Sequence, residues 1–300
     1  MKAVQFDYFR AETMDEALTL LESFKEDAKV LCGGQSLIPV LNMRLARPKV
    51  VVDINKIKEL NELGTEGKYV KIGAVIRHNE VEHSSLVKEQ LPLLAKALPH
   101  IGHSQIRNRG TLVGSIVHAD PSAEVPLISL LLDAHLEVRS KDNQRMIPIS
   151  EFYYGYMMTD LQPDEIVTSV KFPITSPPKG GKRGTEFVEV ARREGDFALV
   201  EAACQIDIDE NGKIFDVRLG LGGVGPAPIK LEEVEDFLKG KEPTNDLFES
   251  VSQMITDYLE PDEDPFVPEE YRKSVAKRFI FKVLDGALKD ALQIKEESSR

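Results

Sequence analysis

Cys32-Gly33-Gly34-Gln35-Ser36, which runs into Leu37-Ile38-Pro39, and the later run IRNRGTLVGS from Ile106 to Ser115 each join a small-residue turn to apolar sequence. A Gly-Gly pair lets the backbone approach a ligand closely and turn its amides outward. A helix opening after Ser36 aims its positive end the same way, so the first turn reads as an anion cradle. Gly110 to Ser115 offers a second cradle, with the Thr111 and Ser115 hydroxyls as further donors. Taken alone, the first turn is equally a strand-to-helix connection without a ligand. The second turn moves the reading to a ligand with two linked phosphates, and a dinucleotide such as FAD fits.

Other chemistry is thinly represented. Cys32 and Cys204 are the only cysteines, and an iron-sulfur cluster needs about four thiolates at short spacing, so this chain cannot ligate one alone. His100 and His103 are spaced as a metal pair, but no acid or thiol completes a recognisable set, and no metal site is expected. Gly220 to Gly225 satisfies G-x-G-x-x-G, yet Pro226 and Pro228 follow where a phosphate-binding helix should begin, so a strand end and turn are predicted there. There is no G-x-S-x-G nucleophile motif and no evident acid-base pair, and no catalytic residue is assigned.

Three hundred residues with 42% hydrophobic content are enough for one or two domains with real cores. A net charge of −12 repels nucleic-acid phosphates and anionic membrane surfaces. No apolar stretch approaches the roughly 20 residues of a membrane span, and the first residues lack the apolar core of a signal peptide. A cytoplasmic protein is expected.

The elements that must position the turns alternate. Val4 to Tyr8 is a predicted strand, Thr13 with Glu16 forms a capping box opening a helix to about Lys25, and Ala28 to Leu31 is a strand leading into the glycine pair. Val50 to Ile54 and Tyr69 to Ile72 read as further strands, Ser84 to Leu98 as helical, and Ala123 to Leu132 as a buried helix. The turn formers from Ser176 to Lys182 mark a domain boundary. Beyond it, Phe187–Ala191, Ala198–Asp207 and Ile214–Leu221 read as antiparallel strands, with a hairpin turn at Asp209 to Gly212. Helices are predicted over Leu231–Leu238, Leu247–Leu259 and from Glu269 to about Leu292, with an acidic, proline-rich solvated loop from Glu260 to Glu270.

The run VLCGGQSLIPVLNMRLARPKVVVDI from Val30 to Ile54 and the run IRNRGTLVGSIVHADPSAEVP from Ile106 to Pro126 resemble the FAD-binding medium subunits of molybdenum hydroxylases. The carbon monoxide dehydrogenase medium chains are nearer in pattern, and the flavin domain of xanthine dehydrogenase is more distant. GDFALVEAACQI from Gly195 and GLGGVGPAPIK from Gly220 extend the resemblance into the C-terminal part. It implies an α+β chain: a two-lobed FAD-binding domain of the PCMH type over residues 1–176, with lobes of about 1–56 and 57–176, then an α+β C-terminal domain over 183–295 with an antiparallel sheet and helices.

On this resemblance Cys32, Gly33, Gly34, Gln35, Ser36 and Leu37 bind the pyrophosphate, together with Thr111, Gly114 and Ser115. Cys32 stands where the family usually has Ala, so its thiol is given no redox role. Val113 replaces a family glycine, and since Val disfavours positive φ, either that position is already extended or the flavin contact has shifted. Glu124 matches an acidic flavin contact and Asp120 is the neighbouring alternative, with helix capping by Asp120 or Ser122 as the competing role. Ile101 and Val167 would pack against the flavin or simply within the core. Phe197 matches an aromatic that shields one face of the isoalloxazine, against a core role, with Asp196 or Arg193 orienting that pocket. Arg107 and Arg109 read equally as surface charges and as groups near phosphates or a partner.

The implied function is an oxidoreductase component: a noncovalent FAD passes electrons from [2Fe-2S] clusters on a small partner subunit to an external acceptor. Molybdopterin sits on a large partner subunit, and the assembly is a dimer of heterotrimers. A self-sufficient FAD-dependent oxidase or reductase of a small organic substrate is the alternative, and a scaffold that has lost its flavin is a third reading.

Overall fold

The computed structural model describes residues 1–259, 261 and 267–294. The chain divides into two compact units, one made of Met1–Val87, His103–Ala119 and Asp133–Pro173, the other of Lys88–Gly102, Asp120–Leu132 and Ile174–Arg300.

The first unit opens with a small parallel sheet of β1 (Asp7–Arg10), β2 (Ala28–Leu31) and β3 (Val50–Asp53) in the order β1-β3-β2. β3 is buried along its whole length, as its valine run requires of a central parallel strand. The Met14–Phe24 helix crosses from β1 to β2. Its Thr13 hydroxyl caps the Glu16 amide at 3.2 Å, while the Glu16 carboxylate reaches back to the Glu12 amide at 2.8 Å. The first strand begins at Asp7 rather than at Val4, because its register is set by pairing of Asp7 with Val50.

A second sheet, antiparallel, is made of β4 (Leu63–Glu66), β5 (Tyr69–Gly73), β6 (His135–Arg139), β7 (Gln144–Pro148) and β10 (Ile166–Pro173). Its order is β4-β5-β10-β6-β7. A hairpin of β8 (Tyr153–Gly155) and β9 (Met158–Thr159) lies between β7 and β10 in sequence. The helix expected over residues 84–98 is broken. Pro92 lacks an amide hydrogen and forces Leu91 to φ −131° and ψ 58°, leaving a Ser85–Gln90 helix, a Pro92–Ala97 helix and a 3-10 turn over Leu98–His100.

The second unit is built on an antiparallel sheet of β11 (Lys182–Ala191), β12 (Ala198–Ile208), β13 (Ile214–Gly222) and β14 (Ile229–Lys230). The predicted hairpin joins β12 to β13: Asp209 Oδ1 accepts from the Asn211 and Lys213 amides, and Gly212 takes φ 80°. Val200, Ala202, Cys204 and Ile206 of β12 are buried with Ile280 and Leu284 of the Glu269–Leu292 helix. The Glu232–Leu238 and Asn245–Met254 helices complete this core, the latter continuing as a 3-10 turn over Ile255–Tyr258.

Two segments from the N-terminal half belong to this second unit for identifiable reasons. Gly220 carries no side chain where a Cβ would lie 2.8 Å from Leu131 and 3.1 Å from Leu127, so the Glu124–Leu131 helix packs directly on β13. Lys96 of the Pro92–Ala97 helix donates to the Thr185 carbonyl and pairs with Glu186 at 3.5 Å and Asp290 at 3.4 Å. Gly220 to Gly225 ends β13 and turns through Gly223 at φ 72°, and the next helix starts only at Glu232, as Pro226 and Pro228 lead one to expect. The acidic loop expected from Glu260 to Glu270 lies outside the described residues at 260 and 262–266.

Candidate functional site

In the first unit the two small-residue turns meet. β2 and β3 are parallel neighbours, so Cys32 leaves one strand beside Asp53 and Asn55 at the carboxyl end of the other, where open parallel sheets bind ligands. A Cβ on Gly33 would lie 2.7 Å from Gly110 Cα, 2.8 Å from the Arg109 carbonyl oxygen and 2.8 Å from the Thr111 amide nitrogen. The first glycine is therefore required by contact between the turns, and the second, Gly34, by its φ of +70°.

Among the described residues no carbonyl or side chain accepts from the amides of Gly34, Gln35 or Ser36. Polar donors left open in a half-buried turn are what an anionic ligand requires, so a diphosphate fits. Leu37 begins a helix of only six residues, so these open amides carry more of the argument than a helix dipole.

Thr111 is buried at 2% exposure and caps the Leu112–His118 helix by accepting from the Gly114 amide at 3.2 Å. Gly114 is needed for that cap, since a Cβ there would lie 2.5 Å from Thr111 Oγ1. Gly114 and Ser115 are half-buried on the same helix. Val113 is the second residue of this helix, buried at 2% and with no positive φ, so a β-branched residue sits there without backbone strain. Arg107 pairs with Glu82 at 2.8 Å and Arg109 is exposed. Val167 is buried in β10 beside a bulge.

Sequence reasoning missed the groups that join the turns. Arg77 donates through Nη1 to the Arg109 carbonyl at 2.6 Å and through Nη2 to Asn55 Oδ1 at 2.5 Å. Asn55 Nδ2 in turn donates to the Cys32 carbonyl at 2.9 Å and to Asp53 Oδ1 at 2.6 Å. Burial raises the Asp53 carboxyl, but hydrogen bonds from Tyr8 and Asn55 outweigh it and hold the group below its ordinary range. The Cys32 thiol donates to the Ala74 carbonyl at 3.1 Å, and burial pushes its pKa up, which keeps it a thiol. Next to Arg77 in sequence, His78 is buried, and burial depresses its pKa to about 4.

The second unit gathers a different set. Asp120 Oδ1 accepts from the Ser122 amide at 3.0 Å in a local turn, but neither residue caps the next helix. The cap is Ala123, and Glu124 is the first helical residue. Glu124 is 6% exposed, and burial, with Glu189 and Asp120 adding to it, raises its carboxyl to about 7. Glu201 on β12 is fully buried, and neither of its oxygens has a partner among the described residues. Burial first, then Glu124 and Glu189, push Glu201 well above the usual carboxylate range. His100 Nδ1 lies 3.3 Å from Glu189 Oε1, a pairing that raises the imidazole's pKa, and its ring packs edge-on against Phe187 at 4.9 Å. Ile101 is 8% exposed, whereas Phe197 is 59% exposed, so Phe197 is not a core residue of its unit.

These turns and this fold define a flavin-dinucleotide-binding protein. Residues 4–175 match the family described as the FAD binding domain in molybdopterin dehydrogenase, and residues 185–287 match the CO dehydrogenase flavoprotein C-terminal domain. The chain belongs to the family of FAD-binding medium subunits of molybdenum hydroxylases. It is 35% identical over 99% of both chains to the 6-hydroxypseudooxynicotine dehydrogenase complex subunit alpha of Paenarthrobacter nicotinovorans. It is 31% identical to the carbon monoxide dehydrogenase medium chain of Hydrogenophaga pseudoflava, over 94% of this chain and 97% of that one. Among solved structures, carbon monoxide dehydrogenase from the same organism superposes with a TM-score of 0.92 at 31% identity, covering 97% of this chain and 100% of that one. Quinoline 2-oxidoreductase from Pseudomonas putida 86 gives 0.91 at 32% identity with the same coverage. No helix among the described residues is long and apolar enough to cross a membrane.

Proposed function

We propose that this chain is the electron-transfer flavoprotein subunit of a cytoplasmic molybdenum hydroxylase, assembled with a molybdenum-cofactor large subunit and a [2Fe-2S] small subunit as a dimer of heterotrimers. Bound FAD supplies the ability to take electrons singly and release them singly or in pairs. The chain's own residues bind it, exclude water and hold protons. Cys32 to Leu37, Thr111, Gly114 and Ser115 are assigned to the diphosphate side. Ile101, Asp120, Glu124, Val167 and Phe197 are assigned to the flavin side. The same reading divides the chain into an FAD-binding domain over 1–176 and a C-terminal domain over 183–295, in keeping with the two stretches that match the family.

One observation carries the assignment: two glycine turns in backbone contact, one of them with amides that no group among the described residues accepts from. The self-sufficient oxidase is not favoured, since the relatives that match across the whole chain are named as subunits of complexes. Mixing the purified chain with its large and small partner subunits should restore flavin reduction by the complex's organic or gaseous substrate. Substrate turnover by the chain alone, free of metal, would contradict the proposal.

A further inference from the structure

We propose that Arg77 and Asn55 form a clamp that fixes the two glycine turns against each other and aims the Gly33 amide, making them positioning residues for the cofactor's diphosphate. The inference rests on the reading that these turns hold that group. The clamp is continuous: the Arg109 carbonyl, the Arg77 guanidinium, the Asn55 amide and the Cys32 carbonyl are linked at 2.6, 2.5 and 2.9 Å. It joins one turn to the other through side chains only.

The orientation of Asn55 is fixed by its partners. Its oxygen faces a guanidinium that can only donate, and its nitrogen faces a carbonyl and the Asp53 carboxylate, which only accept. A flipped amide would mismatch every one of these contacts. Its own backbone amide also bonds Asp53 Oδ1 at 2.9 Å, and Tyr8 holds the other Asp53 oxygen.

The consequence follows from peptide geometry. In a trans peptide the carbonyl and the next residue's N–H point in opposite directions, and the described chain has no cis bonds. Asn55, by holding the Cys32 carbonyl, turns the Gly33 amide the other way. The His78 amide holds the Gly110 carbonyl at 3.0 Å and so turns the Thr111 amide away in the same manner. Arg77 fixes the preceding peptide through the Arg109 carbonyl, whose Gly110 amide donates to the Ile106 carbonyl at 2.7 Å, so it anchors the second turn rather than aiming that amide outward. Because Gly33 and Gly110 touch, a rotation of either peptide must be shared by the other.

The test is FAD affinity of apo-protein, by fluorescence titration of the full chain, with ADP as a competing ligand. R77K keeps the charge but cannot span both partners. It should weaken FAD and ADP in equal proportion, by about ten- to hundredfold, with an unchanged thermal midpoint. N55A should weaken both ligands similarly, and R77K/N55A should be no weaker than the worse single variant, since both act through one chain of bonds. Wild-type affinity in R77K would show that only the charge matters and would overturn the clamp, as would additive losses in the double variant. Gly33→Asp is the separate control: if it binds FAD normally while folded, the reading of the turns fails, whereas lost binding there with normal R77K fails the clamp alone.

Discussion

Alanine at position 33 puts a methyl group where the two turns touch. Its carbon would sit 2.7 Å from Gly110 Cα and 2.8 Å from both the Arg109 oxygen and the Thr111 nitrogen. Carbon contacts settle at about 3.5–4.0 Å, so the turns must part by about 1 Å. All three neighbours are backbone and cannot rotate aside, and such overpacking costs about 1–3 kcal/mol of stability. Parting the turns also stretches hydrogen bonds to a charged ligand, each worth about 1.5–3 kcal/mol, so FAD affinity should fall by about a hundredfold when one or two are lost. Gly34→Ala is the contrasting case. Its neighbours are side-chain atoms, Leu31 Cδ1 at 3.1 Å and Ile38 Cγ1 at 3.2 Å, and its main cost is the φ of +70°, roughly 1–2 kcal/mol. Urea unfolding and FAD titration on both variants separate the two effects. Gly33→Ala with wild-type stability and wild-type FAD affinity would refute the reasoning.

Phe197→Ala should change stability by no more than about 0.5 kcal/mol, since the ring is 59% exposed, while altering flavin fluorescence or retention; a large drop in thermal midpoint with unchanged flavin properties would assign the ring to packing. Glu124 rises from 4.5 to about 7 on folding, so the folded chain holds its proton more tightly than the unfolded one. That group's contribution therefore becomes less favourable as pH rises from 4.5 to about 7, by on the order of 3 kcal/mol in all, and is level above. Glu124→Gln should stabilise the chain relative to wild type at pH 8 and not at pH 4, and Glu201→Gln should act in the same direction; thermal midpoints across that range check both. Asp207 forms a two-pronged pair with Arg183, at 2.7 Å on each prong, and its side chain is 5% exposed. Asp207→Ala should cost about 3–5 kcal/mol by urea unfolding, because it strands a guanidinium.

The glycine turns could be read from sequence because a Gly-Gly pair beside an apolar run serves a close backbone approach or a positive φ, and Thr13 and Pro226 announced a helix start and a helix exclusion. Strands β6, β7 and β10 were not legible: Gln144–Pro148 has an exposed, polar pattern, and its place is set by pairing with His135–Arg139 rather than by its own periodicity. The 84–98 stretch showed helical spacing through Pro92, and spacing alone does not register a missing amide hydrogen. Arg77 and Asn55 escaped for a related reason. Each acts through partners distant in the chain, such as Asn55 with Cys32 and Arg77 with Arg109, and no local pattern marks such a residue. Val113 looked strained only against a glycine-based expectation, and the helical backbone removes that conformational strain.

The most direct measurement of the central claim is an anaerobic absorption titration of the purified, metal-free chain. The account predicts an oxidised-flavin band corresponding to one FAD per chain, released by acid, unchanged by aldehydes, purines or carbon monoxide, and bleached by dithionite. A folded chain that binds no flavin, or a flavin band bleached by one of those substrates without partner subunits, would contradict it.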